Sequence, residues 1–242
     1  MQTLISNELF KLRTSRAPWL ILVAQLALIV AGISGMAIAR VDFNSPTAAR
    51  LLLCHAGMSS LFVLVLGIMA VAGEYRDGTI TDTFLSTPRR SRVIAAKLVA
   101  YTGFGLVDGV LSAITALIVA AIWFSAKGVS FDLARADVWQ TAVGVALWMP
   151  LYAALGVAIG ATVRNLGAAI AIALAWIALV EGIAITLLGD LGRWLPMASG
   201  MALDNVVEDN LLPQVTGGLV LAAWVAAFAV LATLVTMRSD VA

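Results

Sequence analysis

The chain has 242 residues, 62% hydrophobic and only 12% charged, where a water-soluble domain carries about a quarter charged residues. A soluble fold cannot hide that much apolar surface, whereas a bilayer requires it, so an ordinary globular protein is excluded. The formal net charge of +1 gives no sign of a nucleic-acid partner. One cysteine (Cys54) and one histidine (His55) exclude an internal disulfide and any Cys-based zinc site.

Residues 1–17 place Leu4, Ile5, Leu9 and Leu12 at helical spacing, with Glu8, Lys11 and Arg13 between them. Such a segment either lies along the membrane interface, apolar side chains in lipid and charges in water, or extends the first span inward. No small-x-small site follows the first apolar run, so it does not read as a cleavable signal peptide. Six runs then follow that are long enough to cross a bilayer: 18–38, 52–73, 98–122, 138–163, 166–188 and 218–237. The fold class is an all-α membrane protein, a single six-span domain over 1–242. The connections are too short to bury a core of their own.

Basic residues collect on the cytoplasmic side of membrane helices. With the N-terminus inside, the inner segments hold Lys11, Arg13, Arg16, Arg76, Arg89, Arg90, Arg92, Lys97, Arg164 and Arg238. The outer ones hold Arg40, Arg50, Lys127, Arg135 and Arg193, together with acids such as Asp132, Asp190 and Asp204. Both termini are therefore expected to be cytoplasmic. Trp19, Trp123, Trp139 and Trp194, near run ends, fit interfacial anchors.

The connection between spans two and three, 74–97, is the most informative. Gly78 breaks the incoming helix, and Thr79 followed by Asp82 is a variant capping box that predicts a new helix. Ile80, Phe84 and Leu85 would form its apolar face. Pro88 cannot continue it, and Ser91 is a candidate cap for the third span. A merely solvated basic loop would explain the arginines, not the apolar face and the capped start. Between spans four and five only Arg164-Asn165 remains, which predicts a tight hairpin. Outside, 189–217 contains Trp194-Leu195-Pro196-Met197 and a further apolar stretch, too apolar for a free loop and too short to span. It predicts a re-entrant or interfacial helix.

Asp108 in span three and Glu181 in span five are the only carboxylates well inside apolar runs. Each serves either a substrate path or proton relay, or hydrogen bonding between packed helices. Gln25 and His55 are weaker candidates. Gly105-x-x-x-Gly109 and Gly156-x-x-x-Gly160 permit close helix contact, but a glycine-rich chain produces such spacings by chance. There is no Walker A sequence, no Gly-x-Ser-x-Gly elbow and no His-Glu-x-x-His.

The six spans, the basic amphipathic start, the excursion before span six and the 74–97 loop resemble the permease subunits of ABC-2-type ABC transporters. Within that loop, Glu74 through Gly78-Thr79 and Pro88-Arg89-Arg90-Ser91-Arg92 to Lys97 is similar to the family's Glu…Gly-Thr…Pro-x-x-Arg…Lys pattern. The resemblance implies that the 79–86 helix couples to a separate ATP-binding subunit. Glu74, Gly78, Thr79, Ile80, Asp82, Phe84, Leu85, Pro88, Arg89 and Arg92 would form the coupling region. It makes 1–17 a connecting helix beside it and Trp194, Leu195, Pro196 and Met197 part of an outer gate. Spans one, two and five would form the contact with a second copy or a homologous permease and line the path. The chain itself would be non-catalytic and hold no cofactor; ATP and Mg would belong to the partner subunit. The location implied is a cell membrane, bacterial inner or plasma membrane, and the activity is export. An ion-coupled transporter using Asp108 and Glu181 is the alternative; it needs both carboxylates in a shared cavity and internal repeats, and no repeat is evident between the halves.

Overall fold

A computed structural model describes residues 1–39, 41–87 and 89–238, apart from the side chains of Ile185, Thr186 and Arg238. Arg40, Pro88 and the Arg238 side chain, all named above, lie outside the described residues. Among the described residues every regular element is helical, and six helices are long and apolar enough to cross a membrane. The chain is a multi-pass membrane protein.

Helix α1 (Gln2–Thr14) ends at Ser15, whose extended backbone separates it from α2 (Arg16–Ala39), the first span. Span two is composite: α3 (Ala48–Leu53), a 3₁₀ stretch (Cys54–Ser59) and α4 (Ser60–Arg76). The short α5 (Ile80–Ser86) precedes α6 (Arg90–Ala126), span three, which runs well past its apolar core at the N-terminal end. Span four is α7 (Ala136–Val163). Span five comprises α8 (Leu166–Ala175), a π-helical turn (Trp176–Glu181) and α9 (Gly182–Leu188). A 3₁₀ stretch (Gly189–Trp194) leads to α10 (Pro196–Leu203), and α11 (Gln214–Arg238) supplies span six.

The hub of the bundle is α7, because its small residues let neighbouring backbones approach. Gly156 and Gly160 lie on the Leu64 and Ile68 carbonyls of α4, and Gly105 and Gly109 of α6 lie on Pro150 and Ala146 of α7. Both Gly-x-x-x-Gly spacings are thus true helix contacts. Pro150 has no N–H to offer the Ala146 carbonyl four residues back, and Gly109 packs against that freed oxygen. A methyl group at Gly109 would stand 2.5 Å from it. By contrast, the apolar stretches of span five and α11 are only 22% and 11% buried, against 72% for α7, so they present apolar faces outward.

The expected tight hairpin between spans four and five needs correction. Arg164 adopts a left-handed conformation at φ 58° and Asn165 caps α8 by accepting from Ala168 N–H, which closes the turn. Beyond it, α8 packs more on α4 than on α7, and a cavity of about 220 Å³ opens between spans four, five and six. A two-residue turn fixes only the first turns of the two helices, and farther along Ile172 and Trp176 of span five line the gap between them.

The outer excursion does form a short helix covered by protein. Pro196 opens α10 at its first turn, where a missing N–H costs nothing. Pro196, Ala198, Ser199, Gly200, Ala202 and Leu203 are buried against α7 and α11. Side-chain bonds gather the loops into two ends. At one end Arg164 donates to the Val235 carbonyl (2.7 Å), near α1 and α5. At the other, Arg50 donates to the Asn205 carbonyl (3.0 Å) and Gln214 to the Gln140 carbonyl (2.7 Å).

Candidate functional site

The loop between spans two and three and helix α1 meet in a buried charge cluster. Lys97 of α6 is wholly buried, an expensive place for an ammonium unless all three protons are matched. They are: its Nζ donates to Glu74 Oε1 (2.7 Å), Glu8 Oε2 (3.0 Å) and the Ala70 carbonyl (2.9 Å). Lys11 closes the group, donating to Glu8 Oε1 (2.9 Å) and Glu74 Oε1 (2.7 Å). Two lysines and two carboxylates therefore join α1, α4 and α6. Burial is the largest single influence on Lys11 and pulls its pKa down, but Glu74 and Glu8 outweigh it and leave it raised.

Helix α5 hangs beside this cluster. Gly78, at φ +71°, turns the chain out of α4. The predicted capping box does not form: Thr79 precedes the helix with helical backbone angles, not the extended ones that aim a capping side chain back at the first turn, and makes no side-chain cap. Ser91 likewise does not cap α6, which begins at Arg90 with Arg89 before it. The apolar face divides. Ile80 and Phe84 are buried with Val93 and half-buried Tyr75, so they fasten α5 to its own chain, and Arg90 lies over the Phe84 ring at 5.1 Å. Leu85 points away, 74% exposed, in company with exposed Asp82, Arg89 and Arg92. A groove of about 270 Å³ between α1 and α5 is lined by Leu4, Asn7, Lys11 and Asp82.

The intramembrane carboxylates lie in different places. Asp108 accepts from Gln25 Nε2 (2.7 Å), which also reaches Ser112 Oγ (3.0 Å), so the three tie span one to span three. Glu181 accepts from Trp176 Nε1 (2.9 Å) and from the backbone N–H of Met197 (2.6 Å), joining span five to the start of α10. The two border different cavities. Of the outer residues, Trp194 is half-exposed and its carbonyl takes the Trp224 indole N–H (2.8 Å); Leu195 and Met197 are half-buried and Pro196 is buried. His55 packs against Gly32 of span one.

Two residues carry more than their sequence context announces. Glu8, one of several charges on α1, is only 5% exposed because it faces Lys97; its signal was its place four residues before buried Leu12. Asp204, counted among the outer-loop acids, is wholly buried at the end of α10 with neither carboxylate oxygen partnered, and burial raises its pKa well above the ordinary range. No protein-family model matches the sequence, and no curated protein matches it.

Proposed function

We propose that this chain is the membrane-spanning permease of an ATP-driven exporter of the ABC-2 type, working with a separate ATP-binding subunit and a second permease copy or homologue. The observation that carries the reading is the fastening of α5. A seven-residue helix, exposed at the end of the bundle, is held by Ile80 and Phe84 and flanked by an ion cluster in which the buried Lys97 has all three protons matched. A loop with no mechanical task has no need of such anchorage. Leu85, Asp82, Arg89 and Arg92 are left free to meet a partner.

On this reading the α5 end faces the cytoplasm of a bacterial inner or plasma membrane, where most of the basic residues lie, and both termini are there. ATP and Mg bind the partner, whose closure pushes α5. Because α5 sits between α4 and α6, and α1 is ion-paired to both, the push reaches the span-two and span-three helices together. The outward-facing surfaces of spans one and five provide the contact with the second permease and the wall of the path, and the Trp194–Met197 region forms part of the outer gate. Separate placement of Asp108 and Glu181 offers nothing to the ion-coupled alternative.

The test is co-expression with a candidate ATP-binding subunit from the same organism, and measurement of ATPase activity in the purified complex. Leu85→Asp and Arg92→Glu, both at exposed positions, are expected to lower permease-stimulated ATPase activity severalfold while leaving the permease folded. Phe84→Asp is a poorer probe, since it opens the chain's own core. Full stimulation in both surface variants would overturn the docking role of α5.

A further inference from the structure

A groove of about 230 Å³ lies between α1, α2 and α6. Its walls are Leu9 of α1, Trp19 and Leu22 of α2, and Phe104, Val107 and Leu111 of α6. Asp108 lies at its floor but is only 1% exposed and turned to Gln25, so the surface open to the bilayer is hydrocarbon. Along α6 the groove extends from Gly103 to Leu111, about 12 Å at 1.5 Å per residue. That length fits within one leaflet of a hydrocarbon core about 30 Å thick. Arg13 borders the groove at its α1 end. The Arg13 carbonyl accepts the Trp19 indole N–H (3.2 Å), which fixes its backbone beside α2, while its side chain is exposed. Neither Arg13 nor nearby Arg16 forms an ion pair among the described residues, whereas Lys11 is committed to Glu8 and Glu74, and Arg76 to Asp77. A larger groove of about 850 Å³ between α6, α7 and α11 lacks this feature, because Arg135, next to its lining residue Ala136, is paired with Asp137.

We propose that the groove between α1, α2 and α6 binds one anionic phospholipid, an acyl chain lying against Trp19, Phe104 and Val107 and the phosphate headgroup meeting Arg13. Three features converge on that chemistry. A hydrocarbon-lined groove open to the bilayer is filled by an acyl chain, because water and polar solutes gain nothing there. A guanidinium matches a phosphate with paired N–H donors, and no carboxylate of the protein competes for Arg13. A zwitterionic headgroup brings its own cation to the same phosphate and gains less. Trp19, half-exposed at the same end, places an amphipathic ring at the level where headgroup meets chain. A lipid held there bridges α1 and α2 across the break at Ser15. Neither the permease reading nor the direction of insertion enters this inference.

The experiment is native mass spectrometry of the full chain released from detergent micelles, with added phosphatidylglycerol or phosphatidylcholine of identical acyl chains. Wild type is expected to bind the first phosphatidylglycerol about fivefold more tightly than phosphatidylcholine, the size of effect one arginine has near a membrane surface. Arg13→Gln should lose most of that preference. Arg92→Gln removes another exposed arginine of the α1 end, one that does not line the groove, and should keep it. Val107→Trp, which fills the groove from an exposed position, should weaken the first binding of both lipids. Equal affinities in wild type, a preference kept in full by Arg13→Gln, or unchanged binding of both lipids in Val107→Trp overturns the inference. An equal loss of preference in Arg13→Gln and Arg92→Gln overturns it too, since diffuse charge would then account for the attraction. ATPase coupling plays no part in this measurement, so its outcome is separate from that of the permease reading.

Discussion

Replacing Lys97 by Met tests the ion cluster directly. The cluster is balanced in wild type, with Glu8 and Glu74 against Lys11 and Lys97, and Lys97 alone is wholly buried. Met keeps the length of the side chain but removes three hydrogen bonds of 2.7, 2.9 and 3.0 Å. Two carboxylates then share half-exposed Lys11, and Glu74 already has one oxygen, Oε2, without a partner. Removing one partner of a buried ion pair costs roughly 3–5 kcal/mol. At about 2–4 °C per kcal/mol for a chain of this size, the midpoint should fall by roughly 6–20 °C. Thermal unfolding followed by fluorescence-detected gel filtration in detergent reads that shift, and faster tryptic cleavage near Arg13 reports release of α1. Glu74→Gln added to Lys97→Met restores charge balance, leaving Glu8 with Lys11. The double variant should therefore recover more than about 1 kcal/mol relative to additivity, as coupled residues do. A Lys97→Met midpoint within a degree or two of wild type, or a double variant no better than the single, would refute the reasoning.

Glycine contacts give a second set of expectations. Gly156→Ala drives a methyl into the Leu64 backbone of α4, where nothing flexible can yield, and should destabilise by about 1–3 kcal/mol. Gly103→Ala meets nothing within 4 Å in helix α6 and should be neutral or stabilising by up to about 1 kcal/mol, both read as shifts in the thermal midpoint. Asp204→Asn concerns pH. Because the folded-state pKa of Asp204 is raised, its proton stabilises the fold fully below about pH 4, the unfolded range, and that contribution is lost as pH rises toward the folded value. Wild-type stability should thus decline relative to Asp204→Asn as pH rises above about 4. Parallel curves for the two proteins would show that Asp204 carries no such cost.

The spans were legible because hydrocarbon imposes one requirement, apolar length, that any run of about 20 residues either meets or fails. Their packing was not. Gly105, Gly109, Gly156 and Gly160 were visible as spacings, but only the structure tells that one pair meets α7 and the other α4, since small residues permit contact without naming a partner. The charge cluster was half legible: Glu74 and Lys97 stood out in the 74–97 loop, while Glu8 looked like any interfacial acid until α1 folded against α6. For α5 the sequence located a helix with Ile80 and Phe84 on one apolar face and wrongly added Leu85 to it. Ile80 and Phe84 fall on one side and Leu85 on the other, and the inward side is the one that meets Tyr75 at the end of α4 and Val93 at the start of α6. Asp204 was hidden for a similar reason, because burial at the end of α10 is set by α7 and the 3₁₀ part of span two, where a side chain at Gly57 or Gly144 would collide with it.

The distribution of tight and loose packing also bears on how the bundle would move if it works as the proposed permease. The contacts of α7 with α4 and α6 are backbone on backbone, at Gly156, Gly160, Gly105 and Gly109, and such contacts do not deform gradually. Together with the Lys97 cluster they make α1, α4, α6 and α7 a frame that would rotate or tilt as a body. Span five is different: few of its residues are buried, it contains a π-helical turn, and Glu181 of that turn accepts from Met197 N–H of α10. A π turn leaves weaker backbone bonding and is a natural place for a helix to change register. If α5 drives the frame, relative motion must be taken up where packing is loosest, at Trp176–Glu181 and along the faces of span five and α11. The residues that would sense the motion are then those lining the span four–five–six cavity, which lies at the moving boundary between the frame and span five.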